Sequence, residues 1–137
     1  MKHVLATLAL ATMFAAPSAA LAQAAPQPII STYRVAPGHQ VELLKWLAQQ
    51  DSIAEAAGVP KGQLYAHASG ASWDYLVIQP PMTPQQEAAV EAAAKKMSLP
   101  AGPAAGIELR KHIAEHTDTA VAGPMSAADF LKVIGAQ

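Results

Sequence analysis

The chain has 137 residues with no cysteine, and its nine lysines and arginines nearly balance ten aspartates and glutamates. The absence of cysteine excludes disulfide bonds, thiolate catalysis and cysteine ligation of a metal. The near-neutral charge provides no basic surface for nucleic acid or for an anionic membrane, so neither is predicted as a partner.

The first 22 residues have the pattern of a secretory signal peptide. A basic start at Lys2 precedes the apolar segment 4–16, and the small residues at 20–22 form a cleavage signal. The apolar segment is too short for a spanning helix, and no later segment approaches the roughly 20 apolar residues that spanning needs. We therefore expect a periplasmic or secreted protein that has no membrane association after cleavage. The predicted boundaries are a signal peptide at 1–22, a flexible leader at 23–28 and a single domain at 29–137.

The predicted domain begins with one strand and one long helix. β-Branched and aromatic residues between Pro28 and Pro37 predict a strand at 29–35. Apolar residues then recur at helical spacing, and Gly58 ends a predicted helix over 39–57. The predicted apolar stripe of this helix consists of Val41, Leu44, Leu47 and Ala48, with Leu43 at its margin.

The rest of the domain starts with a hairpin, in which two short strands within 63–80 are joined near Gly70. Thr83 and Gln86 then supply a capping box, and Pro84 suits the first position of a helix that runs to about residue 98. The remaining elements are predicted as a loop at 99–106, a short helix at 107–115, a fourth strand at 116–122 and a short amphipathic helix capped by Ser126.

The order of these elements is strand, helix, strand, strand, helix, strand. It predicts an α+β fold with a ferredoxin-like β-α-β-β-α-β antiparallel sheet, helices on one face, and a short C-terminal helix. Nothing in the chain is predicted to cover the other face of the sheet. An uncovered apolar face is a physical reason to expect a homodimer.

Three features of the sequence resemble the dimeric α/β-barrel superfamily. They are Pro37-Gly38 before the first helix, Trp73-Asp74-Tyr75 at the start of the third strand, and His116-Thr117-Asp118-Thr119 at the start of the last. The superfamily includes antibiotic-biosynthesis monooxygenases, stress-responsive barrel proteins and haem-degrading monooxygenases. The resemblance implies a dimeric α/β barrel in which two sheets face each other and enclose a pocket. Its members range from cofactor-free oxygenases and cyclases to proteins with no known activity, so the fold alone does not carry function.

The predicted hairpin holds the candidate catalytic residues. In the cyclase-like relatives a histidine and a tyrosine perform acid–base chemistry, and this resemblance implies His67 as the base. Asp74 would orient its imidazole, and the Tyr75 hydroxyl would support developing negative charge, a role that Tyr65 also fits. The alternative is that His67 and Asp74 form a cross-strand pair that only stabilises the sheet.

The length of the turn near Gly70 decides which of these residues share a face. An even-numbered turn places His67 opposite Asp74, and puts Trp73 and Tyr75 on the other face. An odd-numbered turn places all three rings together, because a one-residue slip flips every side chain. The even register is favoured because it sets small alanines opposite large rings.

We expect the barrel to bind a small apolar or aromatic molecule, without assigned turnover. The candidate ligand-binding residues are Tyr65, Trp73, Tyr33, Arg34 and His116. Among them, Arg34 is suited to pair with a carboxylate of the ligand. The alternatives are a cofactor-free acid–base enzyme, monooxygenase- or cyclase-like, that uses His67, and a structural or interaction protein with a packed dimer core.

No metal and no cofactor are predicted. Residues 112–116 match the H-x-x-E-H pattern of inverted zinc proteases, but His116 is predicted to begin a strand, which breaks the helical spacing of the two histidines. The haem-degrading relatives combine an asparagine with a tryptophan and a histidine, and this chain has no asparagine. Haem held by a histidine axial ligand stays open as an alternative.

Overall fold

A computed structural model describes residues 25–70 and 72–136. Within them the strands are β1 (Ile29–Val35), β2 (Gln63–Ala66), β3 (Tyr75–Gln79) and β4 (Ile113–Ala120). The helices in the same ranges are α1 (Gln40–Ala57), α2 (Pro84–Lys96), α3 (Pro103–Leu109) and α4 (Ala127–Val133). The predicted signal peptide and the first two residues of the leader lie outside the described residues. None of the helices in these ranges has both the length and the apolar character that crossing a membrane requires.

The four strands form one antiparallel sheet with the order β2-β3-β1-β4. This is the ferredoxin-like arrangement, since each helix-containing connection joins two strands that have a third strand between them. The α+β fold predicted from the sequence is confirmed, as is the short C-terminal helix α4.

The hairpin has the even register. Tyr65 lies opposite Leu76, and the His67 N–H donates to the Asp74 carbonyl oxygen at 2.8 Å. Because side chains alternate along a strand, Tyr65 and Tyr75 point to opposite faces of the sheet. The register that pairs small residues with large rings is therefore confirmed.

One face of the sheet carries the core. Tyr33, Tyr75 and Val77 are buried on this face and pack against Leu43 of α1 and Leu109 of α3. A second cluster, formed by Ile53, Ala93 and Ala94, joins α1 to α2. The helices that contact the core thus lie on one side, as predicted.

The buried face of α1 is rotated about the helix axis relative to the apolar stripe that was predicted for it. Leu43 and Ile53 are the buried residues of this helix, whereas Val41 is 57% exposed and Ala48 is exposed. Leu44 and Leu47 are half-buried and flank the core. Spacing alone did not separate Val41 from Leu43, because both fit a stripe that contains Leu44 and Leu47.

The boundary between α3 and β4 was predicted wrongly. Residues 103–106 are helical where a loop was predicted, because Pro103 occupies the first turn, where a missing N–H costs nothing. Residues 113–115 belong to β4 where a helix was predicted. Ile113 and Glu115 lie opposite residues 35 and 34 of β1, and these ladder contacts override the local helical pattern.

Two glycines near the core should respond in opposite ways to alanine. A Cβ at Gly62 would lie 2.7 Å from Cγ1 of the buried Val77, and a Cβ at Gly106 in α3 would meet nothing within 4 Å. We expect Gly62→Ala to lower the free energy of unfolding by about 1–3 kcal/mol through overpacking. Gly106→Ala should raise it by about 0.5–1 kcal/mol through helix propensity. Urea denaturation of both variants measures the difference, and equal effects would contradict this packing around Val77.

Candidate functional site

A cavity of about 460 Å³ lies between the core face of the sheet and the helices α1, α2 and α3. Most of its wall is apolar, and the larger side chains in it are Trp46, Leu47, Val59, Leu64, Val77 and Leu109. Its volume falls within the range of about 300–1,000 Å³ that is typical of sites for small molecules.

Small residues on the helices leave room for this cavity. Ala48 and Ala54 of α1, and Ala105 and Gly106 of α3, face it. None of these residues has a side chain long enough to reach the sheet. The alanine-rich composition of the helices thus has a structural consequence, a space between two layers that larger side chains would otherwise occupy.

Polar side chains from three adjacent strands gather at this cavity. The register brings Asp118 of β4 opposite Ser31 of β1, and His116 opposite Tyr33. Gln79 of β3 completes the group. We call Ser31, Tyr33, Gln79, His116 and Asp118 the polar cluster; all except Ser31 line the cavity.

Hydrogen bonds hold one carboxylate of the polar cluster in place. The Ser31 Oγ donates to Asp118 Oδ1 at 2.5 Å, and Gln79 Nε2 donates to Ser31 Oγ at 3.1 Å. Ser31 is fully buried, so its hydroxyl can satisfy its hydrogen bonds only within the protein. This chain of donors fixes the position of the Asp118 carboxylate relative to the sheet.

His116 contacts both Tyr33 and Asp118. Its ring stacks on that of Tyr33 with centroids 4.8 Å apart and planes 19° apart. Its Nε2 lies 3.0 Å from Asp118 Oδ1, but the ring N–H does not point at this oxygen, so the short contact is not a directed hydrogen bond. Nε2 is buried and is left without a hydrogen-bond partner.

The Tyr33 hydroxyl should make stability fall at high pH. Burial raises the pKa of this hydroxyl above its ordinary value of 10.0; hydrogen bonding to Ser31 opposes the shift, and the Asp118 charge adds to it. Above about pH 10 the unfolded chain loses the Tyr33 proton before the folded protein does. The free energy of unfolding then falls as the pH rises towards the pKa of the folded state, by up to about 1.4 kcal/mol per pH unit.

Urea denaturation at several pH values between about 9 and 11 measures this slope. Tyr33→Phe should remove the contribution of this hydroxyl, so the variant loses less stability over the same interval than the parent protein. Tyr65→Phe is the matched control, since it removes a half-exposed hydroxyl from the opposite face. Equal slopes for the parent and Tyr33→Phe would show that Tyr33 is not held as described.

The structure places the predicted catalytic residues away from the cavity. His67 lies at the end of the hairpin, where its ring is 5.1 Å from that of Trp73. Asp74 Oδ2 accepts the Val35 N–H at 2.7 Å, so the carboxylate is engaged by β1 rather than by the imidazole. Tyr75 is buried on the core face, and its hydroxyl accepts a hydrogen bond from Gln40 Nε2 at 2.7 Å.

The predicted ligand-binding residues are divided between three places. Tyr33 and His116 line the cavity, and Trp73 sits beside His67 at the hairpin end. Tyr65 and Arg34 lie on the opposite face of the sheet. There Arg34 Nη1 pairs with Glu115 Oε2 at 3.2 Å, so it is occupied by a carboxylate of its own chain.

The site residues predicted from the sequence did not include Ser31, Trp46, Gln79 and Asp118. The sequence did contain a signal for part of this set. Ser31 and Tyr33 stand two positions apart in the first strand, as do His116 and Asp118 in the last. Polar residues at alternate positions of two adjacent strands form one face. Their closeness depended on the pairing of β1 with β4, which no local pattern specifies.

The two histidines of the H-x-x-E-H pattern are in different surroundings. His112 follows α3, and His116 is the fourth residue of β4. Across residues 25–70 and 72–136, no group of three or more histidine, cysteine, aspartate or glutamate side chains is placed to hold a metal ion.

No protein-family model matches the chain, and no curated protein sequence matches it. Among solved structures, it is similar in fold to a protein from Chloroflexus aurantiacus described as an antibiotic biosynthesis monooxygenase, with 19% identity, a TM-score of 0.43 and coverage of 72% of this chain and 95% of that one. A Pseudomonas aeruginosa protein has 18% identity, a TM-score of 0.45 and coverage of 74% and 96%.

A third similar structure is a dimeric protein of unknown function and ferredoxin-like fold from Bacteroides fragilis, with 16% identity, a TM-score of 0.39 and coverage of 69% and 94%. At such identities the likeness concerns the fold, and no activity follows from it.

Proposed function

We propose that this chain is an exported protein that binds a small, mostly apolar or aromatic molecule in the cavity between the sheet and the helices. The observation that carries the proposal is the cavity itself, which is about 460 Å³ in volume. It has an apolar wall, with the polar cluster on β1, β3 and β4. A pocket with a few convergent polar groups in an apolar wall is the usual form of a small-molecule site. The signal-peptide pattern of residues 1–22 supports export.

The edge strand β2 offers a route into this cavity. Leu64 lines the cavity and is nevertheless 48% exposed. β2 is only four residues long and is exposed along its whole length. A molecule can therefore reach the cavity beside β2 without separating the strands of the sheet.

A fluorescence titration with N-phenyl-1-naphthylamine, a neutral aromatic probe, tests the proposal. We expect saturable binding with one probe per chain and a rise in probe fluorescence on transfer to the apolar cavity. A binding free energy of roughly 8 kcal/mol would correspond to a dissociation constant in the micromolar range. A signal that rises linearly without saturation would contradict a defined site.

We further propose that a second copy of the chain covers the open face of the sheet. This face carries Ile30, Leu76 and Ile78, all half-buried, and Tyr65, which is 49% exposed. Burial of such side chains against an identical face would be favourable and would close under two-fold symmetry. The paired sheets would then form the dimeric α/β barrel.

Light scattering on the mature protein should give the mass of two chains. A charge within the apolar part of this face, Ile78→Glu, should reduce the mass to that of one chain, because it would bury an unpaired carboxylate. Val41→Glu, on the exposed side of α1, is the matched control and should stay dimeric. A single-chain mass for the parent protein at micromolar concentration would contradict the proposal.

Acid–base catalysis is a second candidate function. The observation that favours it is the placement of His116 inside the cavity, 3.0 Å from a carboxylate oxygen and stacked on Tyr33. A histidine in such surroundings is suited to take and return a proton. In this version His116 takes the role of the base that was predicted for His67.

Hydrogen–deuterium exchange at the acidic carbon of benzoylacetone, an apolar aromatic diketone, separates the two assignments. If His116 is the base, catalysed exchange above the buffer rate should be lost in His116→Gln and retained in His67→Gln. The opposite pattern would support His67. If the parent protein exchanges benzoylacetone no faster than buffer alone, acid–base catalysis on enolisable ligands is excluded.

A further inference from the structure

The charged groups that line the cavity have one sign. Asp51 of α1 and Asp118 of β4 contribute carboxylates, and no lysine or arginine of the described residues contributes to the lining. His116 is the one lining residue of the described ranges that can become positive, and even then the carboxylates outnumber it. The cavity therefore presents a negative potential to whatever enters it.

Two lysine side chains near the cavity form ion pairs with glutamates. Lys61 Nζ lies 2.8 Å from Glu55 Oε2, and Lys111 Nζ lies 2.6 Å from Glu108 Oε2. Both pairs are on the surface. Neither lysine lines the cavity, but Lys61 is near enough to Asp51 for the two charges to interact, so Asp118 carries more of the negative potential there.

The Asp118 carboxylate is held by the Ser31 hydroxyl and can still accept a hydrogen bond from another donor. Its Oδ1 accepts the Ser31 hydroxyl, which in turn is held by Gln79. The side chain of Asp118 is 54% exposed, so it reaches the open part of the cavity rather than the packed core. A carboxylate already positioned by a buried hydroxyl loses little freedom when it pairs with a cation.

The aromatic part of the wall also favours a cation. The rings of Tyr33 and Trp46 line the same cavity as the two carboxylates. The faces of tyrosine and tryptophan attract ammonium groups through their quadrupoles. One face of Tyr33 is covered by the stacked His116 ring, so Trp46 is the better placed of the two to contact an ammonium group. An anionic ligand would instead be repelled by the carboxylates.

We infer that the cavity selects amines carried on an apolar or aromatic body, and that it rejects carboxylates of the same shape. This inference rests on the proposed binding function and names the class of ligand for that site. It differs from the sequence-based expectation that Arg34 would receive a ligand carboxylate, because Arg34 lies on the other face and pairs with Glu115.

Three probes with one aromatic body test the inference by calorimetry at about pH 8, where the amine is protonated: 1-naphthylmethylamine, 1-naphthylmethanol and 1-naphthoate. We expect the amine to bind roughly tenfold more tightly than the carboxylate, with the alcohol between them. Added salt should narrow the difference, since the carboxylates are partly exposed and therefore screened.

Variants assign the preference to the cavity. Asp118→Asn should bring the ratio of the alcohol and amine dissociation constants close to one, and Asp51→Asn should reduce this ratio by a smaller factor. The matched control is Glu42→Gln, which removes an exposed carboxylate of α1 that does not line the cavity and should leave the ratio unchanged. Urea denaturation of each variant shows that it is folded.

The outcomes separate the inference from the function on which it rests. Binding of all three probes with equal affinity, or tightest binding of 1-naphthoate, would overturn the inference and leave the binding function standing. Failure of all three probes to bind would overturn both. An amine preference that persists in both Asp118→Asn and Asp51→Asn would also overturn the inference, because it would arise outside the cavity.

Discussion

Replacement of Leu43 by alanine should lower the free energy of unfolding by about 2–5 kcal/mol. Leu43 is fully buried and packs with Tyr33, Tyr75 and Val77 on the core face of the sheet. The change removes apolar contacts and leaves a space that the sheet cannot close, because the backbone of its strands is held by ladder hydrogen bonds. A domain of this size has about 5–15 kcal/mol of stability in total, so the loss would be a large fraction of it.

Val41→Ala is the matched control on the same helix. Val41 is 57% exposed, and its replacement should change the free energy of unfolding by no more than about 0.5 kcal/mol. Urea denaturation followed by circular dichroism measures both variants. If Val41→Ala were the more harmful change, the helix would be packed through the stripe predicted from the sequence and not through Leu43 and Ile53.

Replacement of Ala54 by phenylalanine should weaken binding of N-phenyl-1-naphthylamine by at least about a hundredfold, which corresponds to roughly 2.7 kcal/mol. Ala54 lines the cavity from the last turns of α1. A phenyl ring placed there would take the space that the probe needs. The protein should remain folded, because the ring would pack against an apolar wall.

Ala56→Phe provides the comparison, since Ala56 is exposed on the same helix and does not line the cavity. It should bind the probe as the parent protein does. Fluorescence titrations of the two variants, with melting temperatures measured alongside, give the result. Equal affinity for both variants would mean that the probe binds elsewhere, and the cavity would lose its proposed role.

Short-range signals in the sequence predicted the fold well. The capping box at Thr83 and Gln86 is present in α2, and Gly58 ends α1 in the left-handed conformation. Both signals act within one helical turn, so neighbouring residues suffice to specify them. The hairpin register followed from pairing small residues with large rings, which is also a contact between near neighbours in sequence.

The candidate site was harder to predict because it depends on contacts between distant segments. Ser31 and Asp118 are 87 positions apart and meet only because β1 pairs with β4. The cross-strand placement of His67 and Asp74 was predicted correctly. What it did not reveal is that the Val35 N–H, from a third strand, is the partner of the Asp74 carboxylate.

The small residues of the cavity wall illustrate the same limit. Alanines in α1 and α3 gave no sign in the sequence of where they would face, because alanine favours helix on any side. Their role becomes visible only when the sheet is placed opposite them. Tyr33 and His116 were chosen from the sequence as ligand-binding candidates, and they do line the cavity, but Arg34 and Tyr65 face the other way.

The central claim is that a small apolar molecule binds between the sheet and the helices, and a crystal structure of the mature protein with N-phenyl-1-naphthylamine tests it most directly. We expect density for one probe per chain between Trp46 of α1 and Val77 of β3, with the polar cluster beside it. Density for the probe only on the open face of the sheet, or a space closed by side chains of α1 and α3, would contradict the claim.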